Sequence, residues 1–257
     1  MTILMALVLG TGIGILLGLL GGGGSILAVP GLVFGLGMPL AQAVPMSLLV
    51  VGIAALFGSI GRVRKRQVQW RVAAIFAATG LPAAFVGSVV NRLLPPAVTL
   101  AGFAVLMVVS GVRMLSKSEG SGVACRTEGS TVDWRRCAAR AVPIGLGVGF
   151  LTGLFGVGGG FLIIPALVLL LGLDMVAAIG TSLIIVVANS ASGMLAYLGG
   201  LSLDWRLVTA FTSAAILGSL AAGRVGTTID TRRLRTWFAY LVFAVAAFVL
   251  AEVLFLH

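Results

Sequence analysis

Charge is scarce in this sequence. Only 9% of its 257 residues are Asp, Glu, Lys or Arg, where a water-soluble domain carries about 25%. Too little polar surface remains to coat a globule in water, and mean hydropathy is +1.19. Most soluble enzymes and DNA-binding folds are thereby excluded, and an all-α polytopic membrane protein is implied. Acidic residues are rarest, seven against seventeen Lys and Arg, for a net charge of +10. In a membrane protein such an excess collects in cytoplasmic loops and reports topology, so no nucleic-acid partner is expected.

Histidine and cysteine are nearly absent too. His257 is the one histidine, and Cys125 and Cys137 lie in the one long polar stretch. A zinc site needs more ligands than these. No metal or cofactor is expected, and the cysteines read as incidental loop thiols. The centres of the apolar runs hold no Asp, Glu, Lys, Arg or His, which disfavours a proton pump built on buried carboxylates. Asp174, at the mouth of a run, reads as a helix N-cap or first-turn charge. No nucleophile–base pair is visible, so an enzyme is not expected. No cleavable signal peptide is evident, because the first apolar run lacks a basic leader and outlasts an h-region.

What is abundant is apolar sequence broken by glycine. The runs are roughly 3–20, 25–37, 40–61, 71–90, 97–115, 141–157, 160–173, 175–198, 206–226 and 235–255. A spanning helix needs about 20 apolar residues. Runs 25–37 and 160–173 fall short, and each follows a glycine cluster, at 21–24 and 156–160. The chain also repeats itself. At an offset of 135, residues 18–33 overlay 153–168 with nine identities in sixteen positions. The register continues through Ser47 over Ser182, Gly58 over Gly193, and Trp70-Arg71 over Trp205-Arg206. Matched Gly, Pro, Ser, Trp and Arg do not follow from apolar composition, so the chain reads as a duplication: a first repeat 1–115, a polar cytoplasmic linker 116–140 and a second repeat 141–257. Trp70 and Trp205 read as interfacial anchors.

Positive-inside arithmetic orients the halves. If each glycine break is a hairpin tip, the loops at 62–71, 113–140 and 224–235 share one face and hold fifteen of the seventeen Lys and Arg; only Arg92 and Arg206 oppose them. If 3–37 and 141–173 were single broken crossings, the split would be twelve to five. The hairpin arrangement is the cleaner. It makes the repeats inverted, each a Gly-broken helical hairpin followed by three transmembrane helices, with both termini outside. Duplication with interrupted helices points to a secondary transporter.

The glycine tips are the first candidate site. Glycine permits positive φ and close backbone approach, and N–H groups exposed at membrane depth must find a partner. Backbone N–H groups at Gly22, Gly23, Gly24 and Ser25, and at Gly158, Gly159, Gly160 and Phe161, would cradle an anion beside two helix N-termini. Ser47, Thr181, Ser182 and Asn189, polar residues within apolar runs, would orient it. Tight helix packing by glycine and hydrogen bonding of the hydroxyls to backbone are the competing explanations.

At these residues the chain resembles the TauE/SafE sulfite exporter family. The resemblance is carried by Gly-Leu-Leu-Gly-Gly-Gly-Gly-Ser-Ile-Leu-Ala-Val-Pro at 18–30, Gly-Leu-Phe-Gly-Val-Gly-Gly-Gly-Phe-Leu-Ile-Ile-Pro at 153–165, and Gly180-Thr181-Ser182-Leu183. In the first half Pro45-Met46-Ser47 stands where the pattern has Gly-Thr-Ser, so the matching Thr is missing there. The resemblance implies a bacterial inner-membrane carrier, an exporter, of small sulfur-containing anions such as sulfite, sulfoacetate or thiosulfate. Expected partners are that anion and the lipid bilayer, with a homodimer permitted. An anion channel, or a membrane assembly protein that transports nothing, remain the alternatives; a polar cavity at the tips favours transport and a dry, packed tip favours assembly.

Overall fold

The computed structural model describes residues 2–91, 93–116, 134–155, 160–195, 204–226 and 230–255. Ten α-helices and no strand occur among them: α1 (Thr2–Leu20), α2 (Gly23–Pro30), α3 (Leu40–Arg64), α4 (Trp70–Asn91), α5 (Pro96–Ser116), α6 (Trp134–Phe155), α7 (Gly160–Pro165), α8 (Met175–Leu195), α9 (Trp205–Gly226) and α10 (Thr231–Phe255). Each apolar run forms one helix, because lipid supplies no partner for backbone N–H and C=O groups. Five helices, α3, α4, α6, α8 and α9, are long and apolar enough to cross a membrane by length and composition. Of the expected linker, 117–133 lie outside the described residues. Helix α6 starts at Trp134, inside that stretch, where Arg135 to Ala141 are mostly good helix formers. Cys137 on its first turns is fully buried and is not a free thiol, so it is not the incidental loop thiol expected.

The first glycine break is a hairpin tip. Gly21 takes φ +62°, the left-handed C-terminal stop that glycine tolerates best. Helix α2 then returns along α1: Gly24 packs on Ile13 and Leu17, Gly31 on Ile13 and Leu9, and Gly35 on Leu9. Both return arms contain a proline followed by a widened π turn, Pro30 before Gly31–Gly35 and Pro165 before Ala166–Leu170. Proline withholds the N–H that the α pattern needs, and the ladder shifts register around it. Each arm ends on a left-handed glycine, Gly37 (φ +65°) and Gly172 (φ +75°). The next N–H reaches back to cap the turn, from Met38 to the Leu32 carbonyl (3.2 Å) and from Leu173 to that of Leu167 (3.0 Å), one residue further back than the Schellman closure of an α-helix, in keeping with the wider π turn before it.

Helix pairing is unchanged when the two halves are exchanged: α1 lies along α9 and α6 along α4, while α2 meets α7, α3 meets α8 and α5 meets α10. Glycine stripes allow the long contacts. Gly10, Gly14 and Gly18 of α1 face Phe211, Ala215 and Ser219 of α9, and Gly145, Gly149 and Gly153 of α6 face Thr79, Gly80 and Ala84 of α4. Both pairs run parallel. The central pair runs antiparallel, with Leu48 of α3 opposite Gly193 of α8, Gly52 opposite Ser190 and Gly58 opposite Leu183. Helix α7 is buried along its whole length, with the Phe161 ring edge-on to Phe103 at 5.4 Å between centroids. Trp70 and Trp205 open α4 and α9 and are exposed.

Candidate functional site

Helices α2 and α7 bring Gly22 and Gly160 together in the interior. Gly22 is backed so closely by the Gly160 backbone that a Cβ on it would drive into the Gly160 carbonyl. Gly160 in turn lies against Gly22 and the Ser25 hydroxyl. Gly158 and Gly159 lie outside the described residues. The tip itself, Gly21, touches α8: a Cβ there would stand 2.6 Å from Ser182 Oγ and 3.2 Å from both Ile164 and Ile179. Gly22 and Gly24 thus serve close packing, and Gly21 carries the positive φ.

Each expected hydroxyl is engaged. Ser25 Oγ donates to the Gly22 carbonyl (2.6 Å), which also accepts the Ser25 N–H (3.2 Å). Ser47 donates to Val44 O (2.7 Å) and Ser182 to Ile179 O (2.9 Å). A hydroxyl has one proton to give, so none of these donates to a ligand in this arrangement. Thr181, fully buried, accepts the Gln69 N–H (3.0 Å) and so ties the α3–α4 turn to α8. Asp174 caps α8 as expected, its carboxylate accepting the Ala177 N–H at 3.2 Å.

The antiparallel crossing of α3 and α8 separates two residues that the repeat made equivalent. Ser182 lies beside Leu183, opposite Gly58, whereas Ser47 lies beside Leu48, opposite Gly193. Eleven helical steps from Ser47 to Gly58 correspond to about 16 Å along the axis. Asn189 lies between these levels, next to the Ser190–Gly52 contact, and its Oδ1 is buried without a partner. The described elements therefore gather Gly21, Gly22, Ser25, Gly160, Phe161, Thr181 and Ser182 around the first tip. Ser47 stands on the far side of the crossing.

A family model for the sulfite exporter TauE/SafE matches residues 6–249. The chain belongs to that family. A probable membrane transporter protein of Xylella fastidiosa is 35% identical over 245 residues, 93% of this chain and 91% of the relative. The probable membrane transporter protein YunE of Bacillus subtilis is 27% identical over 253 residues, 92% and 91% of the two chains. No solved structure matches. This TauE/SafE chain is a multi-pass membrane transporter.

One residue of the TauE/SafE chain escaped the sequence reading. Arg62 was grouped with the loop charges of 62–71, yet its side chain is buried, 1% exposed, inside the α3 span. Its Nη2 donates to the Gly18 carbonyl (3.1 Å), one of the last carbonyls of α1, which lack helical donors. Its Nε and Nη1 have no partner among the described residues. Without Arg62 the charge split is fourteen to two, and the orientation argument stands. A signal for it was present: Arg62 overlays Tyr197 at the repeat offset, and residues 1–118 contain no Asp or Glu to pair with it.

Proposed function

We propose that the protein is a secondary transporter exporting small sulfur-containing anions, such as sulfite, sulfoacetate or thiosulfate, across the bacterial inner membrane. Repeats 1–115 and 141–257, joined by a cytoplasmic linker at 116–140, are inverted and place both termini outside. The anion and the lipid bilayer are its partners, and a homodimer is compatible with the arrangement. The observation that carries this reading is the contact of α2 with α7 at Gly22 and Gly160 inside the protein, short helices of the two halves meeting as interrupted helices do around a transporter's substrate. The opposite direction of the repeat mates α3 and α8 supports inversion.

In this reading the contact of Gly22 with Gly160 is the closed state, and one hairpin must move for an anion to enter. The first N–H groups of α2, at Gly23 and Gly24, have no intrahelical acceptor and would meet the anion with the helix dipole behind them. Gly158 and Gly159 are their counterparts in sequence at the repeat offset of 135. Ser182 serves the approach from the cytoplasmic side, Ser47 the approach from outside, and Asn189 lies on the path between. Counterflow in proteoliposomes tests the function. Internal unlabelled sulfite or thiosulfate should drive transient accumulation of the labelled anion. Flux without counterflow assigns a channel, and no flux of any sulfur anion overturns the substrate class.

A further inference from the structure

We propose that Arg62 is the charge that binds the transported anion on the cytoplasmic side of the first tip and selects anions over neutral solutes; this rests on the anion-transport reading above. A buried guanidinium costs several kcal/mol of lost hydration unless its donors are met. Arg62 has one donor met, by Gly18 O at 3.1 Å, and none on Nε or Nη1. No salt bridge compensates it among the described residues. The surrounding hydroxyls bring no charge to balance the anion: Ser25 and Ser182 give their protons to backbone carbonyls, and Thr181, which accepts the Gln69 N–H, keeps one neutral O–H.

The placement suits a substrate contact. Gly18 is three residues before the Gly21 tip, and Gly21 touches Ser182. Gly180, just before Thr181, packs on the Arg62 stem: a Cβ there would lie 3.5 Å from Arg62 Cβ and 2.8 Å from the Gln67 carbonyl. The Gln67 N–H bonds to the Arg62 carbonyl (2.9 Å), and its Oε1 is a second buried polar atom without a partner. Because the free donors are on other nitrogens than the one bound to Gly18, the guanidinium can hold the hairpin and an oxyanion together. An ammonium, with a single point of charge, cannot reproduce that division. The second repeat has Tyr197 at this position, so this charge belongs to one side of the transporter only.

The full chain, purified in detergent, is titrated calorimetrically with methanesulfonate, thiosulfate, phosphate and acetate, and with methanesulfonamide as the neutral counterpart. Wild-type protein should bind at least one anion and not the sulfonamide. Arg62→Gln should weaken anion binding by about tenfold or more, as loss of charged hydrogen bonds does. Arg62→Lys should fall between, and Arg64→Gln, which removes the same charge from an exposed neighbour, should stay within about twofold. A folded Arg62→Gln that binds and transports sulfur anions like wild type overturns the Arg62 role and leaves the transport reading intact. Arg62-dependent binding of phosphate or acetate, with no sulfur anion bound or carried, overturns the substrate class and keeps the Arg62 role. Binding of no anion overturns both. If Arg62→Gln does not fold, butanedione modification of wild-type Arg62 decides: protection by bound anion supports the role, and an unchanged rate overturns it.

Discussion

Gly21 and Gly12 stand nine residues apart, and one added methyl should act on them in opposite ways. At Gly12 nothing lies within 4 Å of a new Cβ. Gly12→Ala should leave transport unchanged and raise stability by up to about 1 kcal/mol, the helix preference of alanine. At Gly21 the backbone is left-handed and Ser182 Oγ stands 2.6 Å from the new carbon. Gly21→Ala should cost about 1–2 kcal/mol for the backbone alone and disturb the tip–α8 contact. Transport and thermal melting of both variants, measured side by side, check the pair; wild-type melting and flux for Gly21→Ala would refute the tip geometry. Lys65 and Arg66 behave differently from Arg62 because both are exposed. Neutralising them together to Gln should change transport in correctly inserted protein by no more than about twofold, read as initial rate per inserted molecule.

Helices in lipid gain little from burying apolar side chains against one another, so close backbone approach decides which pairs form. The stripes Gly10, Gly14, Gly18 and Gly145, Gly149, Gly153 supply that approach in both halves. A Cβ on Gly14 would enter the Ala215 carbonyl, and one on Gly149 the Gly80 backbone. Gly14→Ala and Gly149→Ala should therefore each destabilise by about 1–3 kcal/mol, the usual range for overpacking. Gly147, with open space around it, is the internal control on α6. Melting temperatures in detergent should drop for the two stripe variants and not for Gly147→Ala. Equal drops in all three would assign the effect to helix propensity or insertion instead of packing.

Topology binds these elements into one machine. In the proposed orientation the loops around Lys65, Lys117 and Arg233 are cytoplasmic, and an anion would reach the α1 tip from inside past Arg62. The same proposed orientation puts the loop around Arg92 and both termini outside. In a background without Cys125 and Cys137, Lys65→Cys should react with an impermeant maleimide only from the cytoplasmic side of oriented vesicles, and Arg92→Cys only from the other. External labelling at Lys65→Cys would invert the assignment. Because Cys137 is buried and bonded, the cysteine-free background itself must first be shown to melt and transport like the parent chain.

Membrane class, the helix segments and the first hairpin break were legible in the linear chain, because hydropathy, glycine and proline act locally. The Asp174 cap was legible for the same reason. The partners of the tips were not. Ser47 and Ser182 are equivalent by repeat, yet the antiparallel crossing of α3 and α8 sets them on opposite sides, and Gly21 meets Ser182 across more than 150 residues of chain. Nor does composition tell a loop arginine from a buried one two residues before the helix end. That distinction arises when α1 and α8 pack around Arg62, turning a topological charge into a desolvated donor with two nitrogens unpaired. Local chemistry sets what each segment can be. Which groups are deprived of water and left facing one another depends on long-range packing, whose outcome no single segment encodes.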